Sequence, residues 1–310
     1  MLKPSRVAGD QMGQIVLRTL RAEFFPASIM PVALGSILAY KSSGRVDWGL
    51  LTATVLGVVG LHGAGNVAND YFDHKSGNDD INQTFIRPFT GGSRTVQQGL
   101  ITPRGLAALS LGCLGLGLLA AVYLAIQTGL AVLLLGGAGV LLAYAYSAPP
   151  FRLSARGWGE IVIGLNFGVL PVWGSYFVQT GEWSRIPVLW SLPLMVLIVA
   201  VLVVNQFPDF TADETVDKRN WVVRLGRDRG AVLYALLMCA WPAMLVLAVW
   251  PGGAPKVILL ALVGLLPAGM AVWTVFKYRC RPDKLAPACA LTGFLHAGVG
   301  LVLCVSLLLS

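Results

Sequence analysis

Nine stretches of this sequence are apolar for about as long as a helix needs to cross roughly 30 Å of hydrocarbon: about 20–40, 49–72, 105–126, 129–147, 159–179, 187–208, 231–250, 255–276 and 287–309. In hydrocarbon a backbone has no water to bond to, so each stretch must satisfy its own amides, and a helix does that within one segment. The expectation is an all-α integral membrane protein with nine transmembrane helices, its main surroundings a lipid bilayer. Composition agrees, with 56% hydrophobic and 12% charged residues, about half the charged share of a soluble domain. The opening "MLKPSRVAGDQMGQIVLRTLRAEFF" has no short apolar core followed by a small-residue cleavage site, so no signal peptide is expected. The five cysteines form no C-x-x-C pair and read as small apolar residues rather than disulfides or zinc ligands.

Charge orients the chain. With nine alternating spans, all but four of the 23 lysines and arginines fall on one side, the exceptions being Lys41, Arg45, Arg185 and Lys256. The positive-inside bias puts the N-terminus and the long loops 73–104 and 209–230 in the cytoplasm, and the C-terminus across the membrane, as for a multi-pass protein of the inner membrane. The net charge of +8 is then topology rather than a nucleic-acid footprint, and no nucleic-acid partner is expected.

The chain echoes itself. "PVALGS" at Pro31 and "PVWGS" at Pro171 each begin a helix, a short turn and a second helix, with Asn66 and Asn205 each 31 residues beyond the Gly of the Gly-Ser pair. The pattern predicts one polytopic domain over 1–310, built from two four-helix pseudo-repeats at about 20–147 and 159–276 plus a ninth helix, around a central cavity.

Each copy ends in acid. Asn66, Asp70 and Asp73 are spaced to share a helix face, as are Asn205, Asp209, Asp213 and Asp217. These acids begin inside apolar runs, where ionisable side chains are costly and mostly functional, and they sit at helix C-termini, where the macrodipole disfavours negative charge. Solvated helix ends are therefore the weaker explanation. Carboxylates this dense repel unless a cation neutralises them, and oxygen ligands favour Mg²⁺ or Ca²⁺ over zinc. Lys75, Arg87, Arg94, Arg152, Lys218 and Arg224 surround the two clusters in sequence. Acid, metal and guanidinium together suit a diphosphate, and in a membrane protein that means a lipid diphosphate with its tail between helices.

These residues resemble the UbiA-type intramembrane prenyltransferases over nearly the whole chain. The first cluster is similar to that family's N-x-x-x-D-x-x-D motif, filled by Asn66, Asp70 and Asp73. The second is similar to its D-x-x-x-D motif, filled by Asp209 and Asp213 after Asn205, and "YAYSAPPFRLSARGWGE" is similar to its Tyr-Ser/Thr…Pro-Pro stretch. The third acid that many members carry four residues on is Gly77 here, with Asp79 beyond it. That spacing and "GGSRTVQQGLIT" look most like the 1,4-dihydroxy-2-naphthoate prenyltransferases of menaquinone biosynthesis.

The resemblance implies Mg²⁺ as cofactor, held by Asp70, Asp73, Asp209 and Asp213. It implies diphosphate contacts from Asn66, Lys75, Arg87, Arg94, Arg152, Asn205 and Lys218, and a catalytic role for Tyr146 beside the four aspartates. The expected reaction moves a polyprenyl group from polyprenyl diphosphate to an aromatic acceptor, by ionisation and electrophilic substitution. Other acceptors are 4-hydroxybenzoate, homogentisate or a glycerol phosphate lipid, and the rival class is a secondary transporter. His62 reads as a packed, hydrogen-bonded membrane histidine, with substrate contact as the alternative, and Glu160 as a partner for Arg152 or Arg156.

Overall fold

Local signals at the ends of the apolar runs frame each helix. Pro26 opens α2 (Pro26–Ser43), and the Asp47 side chain caps α3 (Trp48–Ser76) by accepting the Leu50 amide at 2.9 Å. Thr102 caps α5 (Pro103–Thr128) in the same way, at 3.1 Å from the Gly105 amide. In the computed structural model, which describes residues 9–249 and 255–309, α1 is Gly9–Leu20 and α4 is a single turn, Asn78–Ile81. The remaining helices are α6 (Val132–Ser147), α7 (Gly159–Thr180), α8 (Ile186–Thr215), α9 (Trp221–Val249), α10 (Lys256–Tyr278) and α11 (Ala286–Leu308). Among the described residues there is no strand.

Eight described helices are long and apolar enough to cross a membrane, and α6, at 16 residues, is a shorter ninth apolar helix. The spans expected at 49–72 and 187–208 run on to Ser76 and Thr215, so both acid clusters belong to the last turns of long helices rather than to loops. The α1 helix was not expected: its apolar stretch is too short to register as a span. The first eight residues of the opening segment lie outside the described residues.

Helix α8 is the axis of the main core, where Leu194, Leu197, Val203 and Phe207 pack with Leu34 from α2, Tyr234 and Trp241 from α9 and Leu303 from α11. The outer faces of α5 and α6 instead expose Leu119, Ile126 and Leu134, as a hydrocarbon-facing surface would. The two echoed segments meet directly: a Cβ on Gly35 would fall 2.1 Å from both Ser175 Oγ and the Val172 carbonyl oxygen. Only a glycine lets α2 and α7 approach that closely. Pro171 shapes α7 further. It has no N–H for the Phe167 carbonyl, and the helix widens there into a π segment, Leu165–Val169, in which the Leu170 amide bonds back to the Leu165 carbonyl.

Candidate active site

At about 100° per residue, Asn69 and Asp73 lie on α3 within about 40° of each other, while Asp70 is turned about 60° from Asp73. That small rotation divides the first cluster. Asn69 and Asp73 face a polar cavity of about 130 Å³ at the acidic end of the bundle. Asp70, almost fully buried, turns away from it, and its Oδ2 accepts the Ser93 amide at 3.0 Å.

Beyond Asp73 the helix stops. Gly77 takes a left-handed conformation (φ 77°) that a side chain would strain, and α4 starts again at a new angle. The break turns Asn78 and Asp79 into the cavity and toward α8. Asn78 Nδ2 donates to Asp213 Oδ1 at 2.9 Å, and Asn82 Nδ2 donates to Asp209 Oδ1 at 2.7 Å. Thr84 Oγ1 donates to the Pro208 carbonyl at 2.6 Å. The segment after α3 is thereby tied across the cavity to the second acid cluster.

On α8 the four-residue spacing holds, and Asn205, Asp209 and Asp213 all line the cavity. Asp217 does not: α8 ends at Thr215, and Asp217 (φ 55°) points outward and pairs with Arg219 at 2.9 Å. Lys218 comes inward instead. Its Nζ is 3.1 Å from Asp73 Oδ2 and 3.5 Å from Asp213 Oδ1, bridging the two clusters. Burial works against its charge, but Asp213 and Asp73, with help from Asp209, outweigh that and hold the ammonium well above the usual lysine range. Burial, then the neighbouring Asp73 and Asp70, push Asp79 up to about 9.

The other basic residues take different positions from those expected of diphosphate contacts. Arg94 donates to the Asp79 carbonyl and lies over the Phe85 ring at 4.6 Å, and Arg87 donates to the Ser93 carbonyl at 3.0 Å. Both brace the 82–95 loop from outside the cavity. Lys75 is exposed over Tyr71, and Arg152 (φ 42°) is half-buried beyond the cavity wall. Asn66 lines a separate apolar cavity and donates to the Leu20 carbonyl at 3.0 Å. Glu160 serves neither Arg152 nor Arg156: its Oε1 accepts Gln206 Nε2 at 2.7 Å and the Trp221 amide at 2.8 Å, joining α7, α8 and α9.

The apolar cavity, about 300 Å³, lies between α3, α5, α6 and α7, with walls such as Val58, Leu61, Leu124 and Leu135. It meets the polar cavity at Arg21, Asn69, Tyr146 and Leu202, which line both. Arg21 is a site residue that sequence reasoning missed. It sits at φ 54° just before α2 and donates to the Phe89 carbonyl at 3.1 Å. Nothing in the spacing separates it from the other basic residues of the N-terminal segment. Asn69, Asn78, Asn82 and Asn220 were missed too, because amides carry no charge signal.

The polar cavity suits a hard divalent cation. Its oxygen donors are carboxylates, amides and hydroxyls, with no thiol or imidazole among the described lining residues. Beside it, Asp70 Oδ1, Asn78 Oδ1 and Asn205 Oδ1 are buried without a protein partner. Among the described residues no three His, Cys, Asp or Glu side chains are grouped closely enough to enclose an ion alone. That fits Mg²⁺, which typically takes one or two protein carboxylates and fills its shell with water and phosphate oxygens.

A helical bundle with membrane-length apolar helices and an acidic, amide-rich cavity adjoining an apolar one is an architecture suited to an amphiphile with a charged head. The UbiA prenyltransferase family matches residues 28–299, and the chain belongs to that family. It is 28% identical over 223 residues to the 1,4-dihydroxy-2-naphthoate octaprenyltransferase of Bacillus subtilis (strain 168), covering 72% of this chain and 69% of the relative. It is 32% identical over 224 residues to the UbiA prenyltransferase domain-containing protein 1 of Danio rerio, covering 71% of this chain but 63% of that relative. The fold is similar to that of a UbiA homolog from Archaeoglobus fulgidus bound to DMAPP and Mg²⁺, with a TM-score of 0.64 at 16% identity over 94% of this chain and 99% of the homolog.

Proposed function

We propose that this protein transfers a polyprenyl group from a polyprenyl diphosphate to an aromatic acceptor, most closely 1,4-dihydroxy-2-naphthoate, with Mg²⁺ as cofactor and the acidic end in the cytoplasm. The observation that carries this reading is the junction of the two cavities at Asn69, Tyr146 and Arg21. A diphosphate head fits the polar side, a prenyl chain and an aromatic ring fit the apolar side, and the bond to be broken falls between them. Family membership, the naphthoate enzyme among the relatives and the Mg²⁺ in the Archaeoglobus homolog support it.

Asp73, Asp209 and Asp213 would share the Mg²⁺ ions between them, one or two carboxylates to each, beside the amide oxygen of Asn205, and Asp70 would act from behind by fixing the Ser93 amide. Bound Mg²⁺ neutralises charge on the diphosphate and makes it a better leaving group. Lys218 and Arg21 add fixed positive charge where the leaving oxygen gains negative charge. Tyr146 and the surrounding apolar walls keep water from the allylic cation.

The test is radiolabelled prenyl transfer in membranes, with 1,4-dihydroxy-2-naphthoate, 4-hydroxybenzoate and homogentisate offered separately. Mg²⁺-dependent labelling of the naphthoate alone is expected. Labelling of another acceptor would keep the chemistry and replace the substrate. Labelling of none by well-folded protein would overturn the reading in favour of a glycerol phosphate lipid acceptor or of transport.

A further inference from the structure

One buried titratable side chain has no part in the diphosphate chemistry. His62 lies on α3 two turns before Asn69, in the wall of the apolar cavity. Its Nδ1 is 2.6 Å from Ser28 Oγ on α2. Its ring is held edge-on by Phe25, with centroids 5.2 Å apart, and by Phe167, at 4.7 Å. A neutral imidazole has one N–H and one lone pair. In the tautomer that donates Nδ1–H to Ser28 Oγ the lone pair is on Nε2, an atom that no described residue bonds; in the other tautomer Ser28 Oγ donates to Nδ1 and Nε2 carries the N–H.

Two features make this more than a satisfied core histidine. The cavity wall beside it carries a second polar group, Asn166, whose Nδ2 donates to the Gly139 carbonyl at 3.3 Å while its Oδ1 is buried without a partner. Phe167 and Asn166 both belong to the π segment, an irregularity that recurs at functional sites. Among the described residues, Arg21 is the charged side chain that shares the apolar cavity wall with His62, at the junction with the polar cavity. In the first tautomer a ring bound here would meet one unfilled acceptor, His62 Nε2, within apolar walls.

We infer that His62, in the tautomer that donates Nδ1–H to Ser28, binds a ring hydroxyl of the acceptor and takes its proton as the ring attacks. The inference rests on the proposed prenyl transfer and requires a hydroxyl next to the attacked ring carbon. The C1–O bond of the prenyl diphosphate breaks, its electron pair leaving with the diphosphate. A ring carbon next to the hydroxyl forms the new C–C bond to C1 with ring π electrons, while the hydroxyl proton moves to His62 Nε2 and the oxygen becomes a carbonyl. The attacked carbon then sheds its proton to the diphosphate, or CO₂ where it carries a carboxylate. The electron pair left behind restores the aromatic ring, and His62 returns the proton to the oxygen.

The experiment compares the full-length wild type with His62→Gln and Ser28→Ala in lipid vesicles. It measures Mg²⁺-dependent geranyl diphosphate binding, steady-state transfer to a dihydroxynaphthoate, and transfer to its mono-methyl ether at the reacting hydroxyl. For His62→Gln, turnover of the free diol should fall by about 100-fold, the scale of general-base catalysis, while diphosphate binding and the KM for the prenyl donor stay at wild-type values. Ser28→Ala should lower turnover by about tenfold, and the methyl ether, which has no proton to give, should be turned over equally slowly by all three proteins. Retention of wild-type turnover by His62→Gln would overturn the assignment alone. Equal loss of diol and ether turnover, or parallel loss of diphosphate binding, would also overturn it and leave His62 a packing residue. A wild type that labels no aromatic acceptor removes the proposed function, and this assignment with it.

Discussion

The two acid clusters reach the same cavity by different routes. On α8 the residues Asn205, Asp209 and Asp213 stand one turn apart on an unbroken helix, and all three line the site. On α3 the corresponding stretch is divided. Asn69 and Asp73 face the cavity, Asp70 turns back to hold the Ser93 amide, and a glycine break sends Asn78 and Asp79 in from a separate turn. The regular cluster is a fixed wall. The broken one is assembled, and its inward groups depend on the loop that they in turn anchor through Asn78–Asp213 and Asn82–Asp209.

Substitutions should therefore rank by which wall they touch. Asp213→Ala, on the regular side, should lower prenyl transfer by about 10³-fold, the upper scale for loss of one preorganised electrostatic group, measured as kcat/KM with donor and acceptor both varied. Lys218→Met leaves Asp73 and Asp213 facing each other without their shared cation, and transfer should fall by about 10²-fold. Gly77→Ala tests the assembled side. Forcing a Cβ into the left-handed conformation should destabilise the protein by about 1 kcal/mol, read from thermal unfolding in detergent. Wild-type stability in that variant would mean the break is incidental.

Asp79→Asn should act through pH. The folded protein holds the Asp79 proton up to about 9, while the unfolded chain releases it near 3.8. Between those values the folded state binds more protons, so metal-free stability falls as pH rises across the window and levels off above it. The asparagine variant should flatten that slope in a thermal-shift series from pH 5 to 9. Smallest of all, Lys75→Ala removes an exposed side chain outside the cavity, and transfer should stay within about twofold of wild type.

The same contrast explains what could be read in advance. The membrane fold was legible because apolar length is a direct physical requirement for spanning hydrocarbon. The alignment of Asn205, Asp209 and Asp213 was legible because helix periodicity fixes which residues share a face. The first cluster was only half legible. Periodicity groups Asn66 and Asp70 with Asp73, and nothing in the spacing says that the cavity lies on the Asn69 side. The loop arginines looked like diphosphate ligands because charge is visible in a sequence, whereas the carbonyls that Arg87 and Arg94 actually hold are not. Arg21 went unnoticed for the converse reason: it is far from both clusters in sequence, and only the packing of the segment before α2 brings it to the junction.

Lys218 makes the resting site partly self-neutralised. A divalent ion arriving between Asp73 and Asp213 would meet a resident ammonium, so its binding is an exchange of one positive group for another rather than the filling of a bare negative well. Under the proposed function the displaced ammonium turns from its carboxylates to the incoming diphosphate. Metal and lipid substrate would then be taken up together, each weakly held without the other.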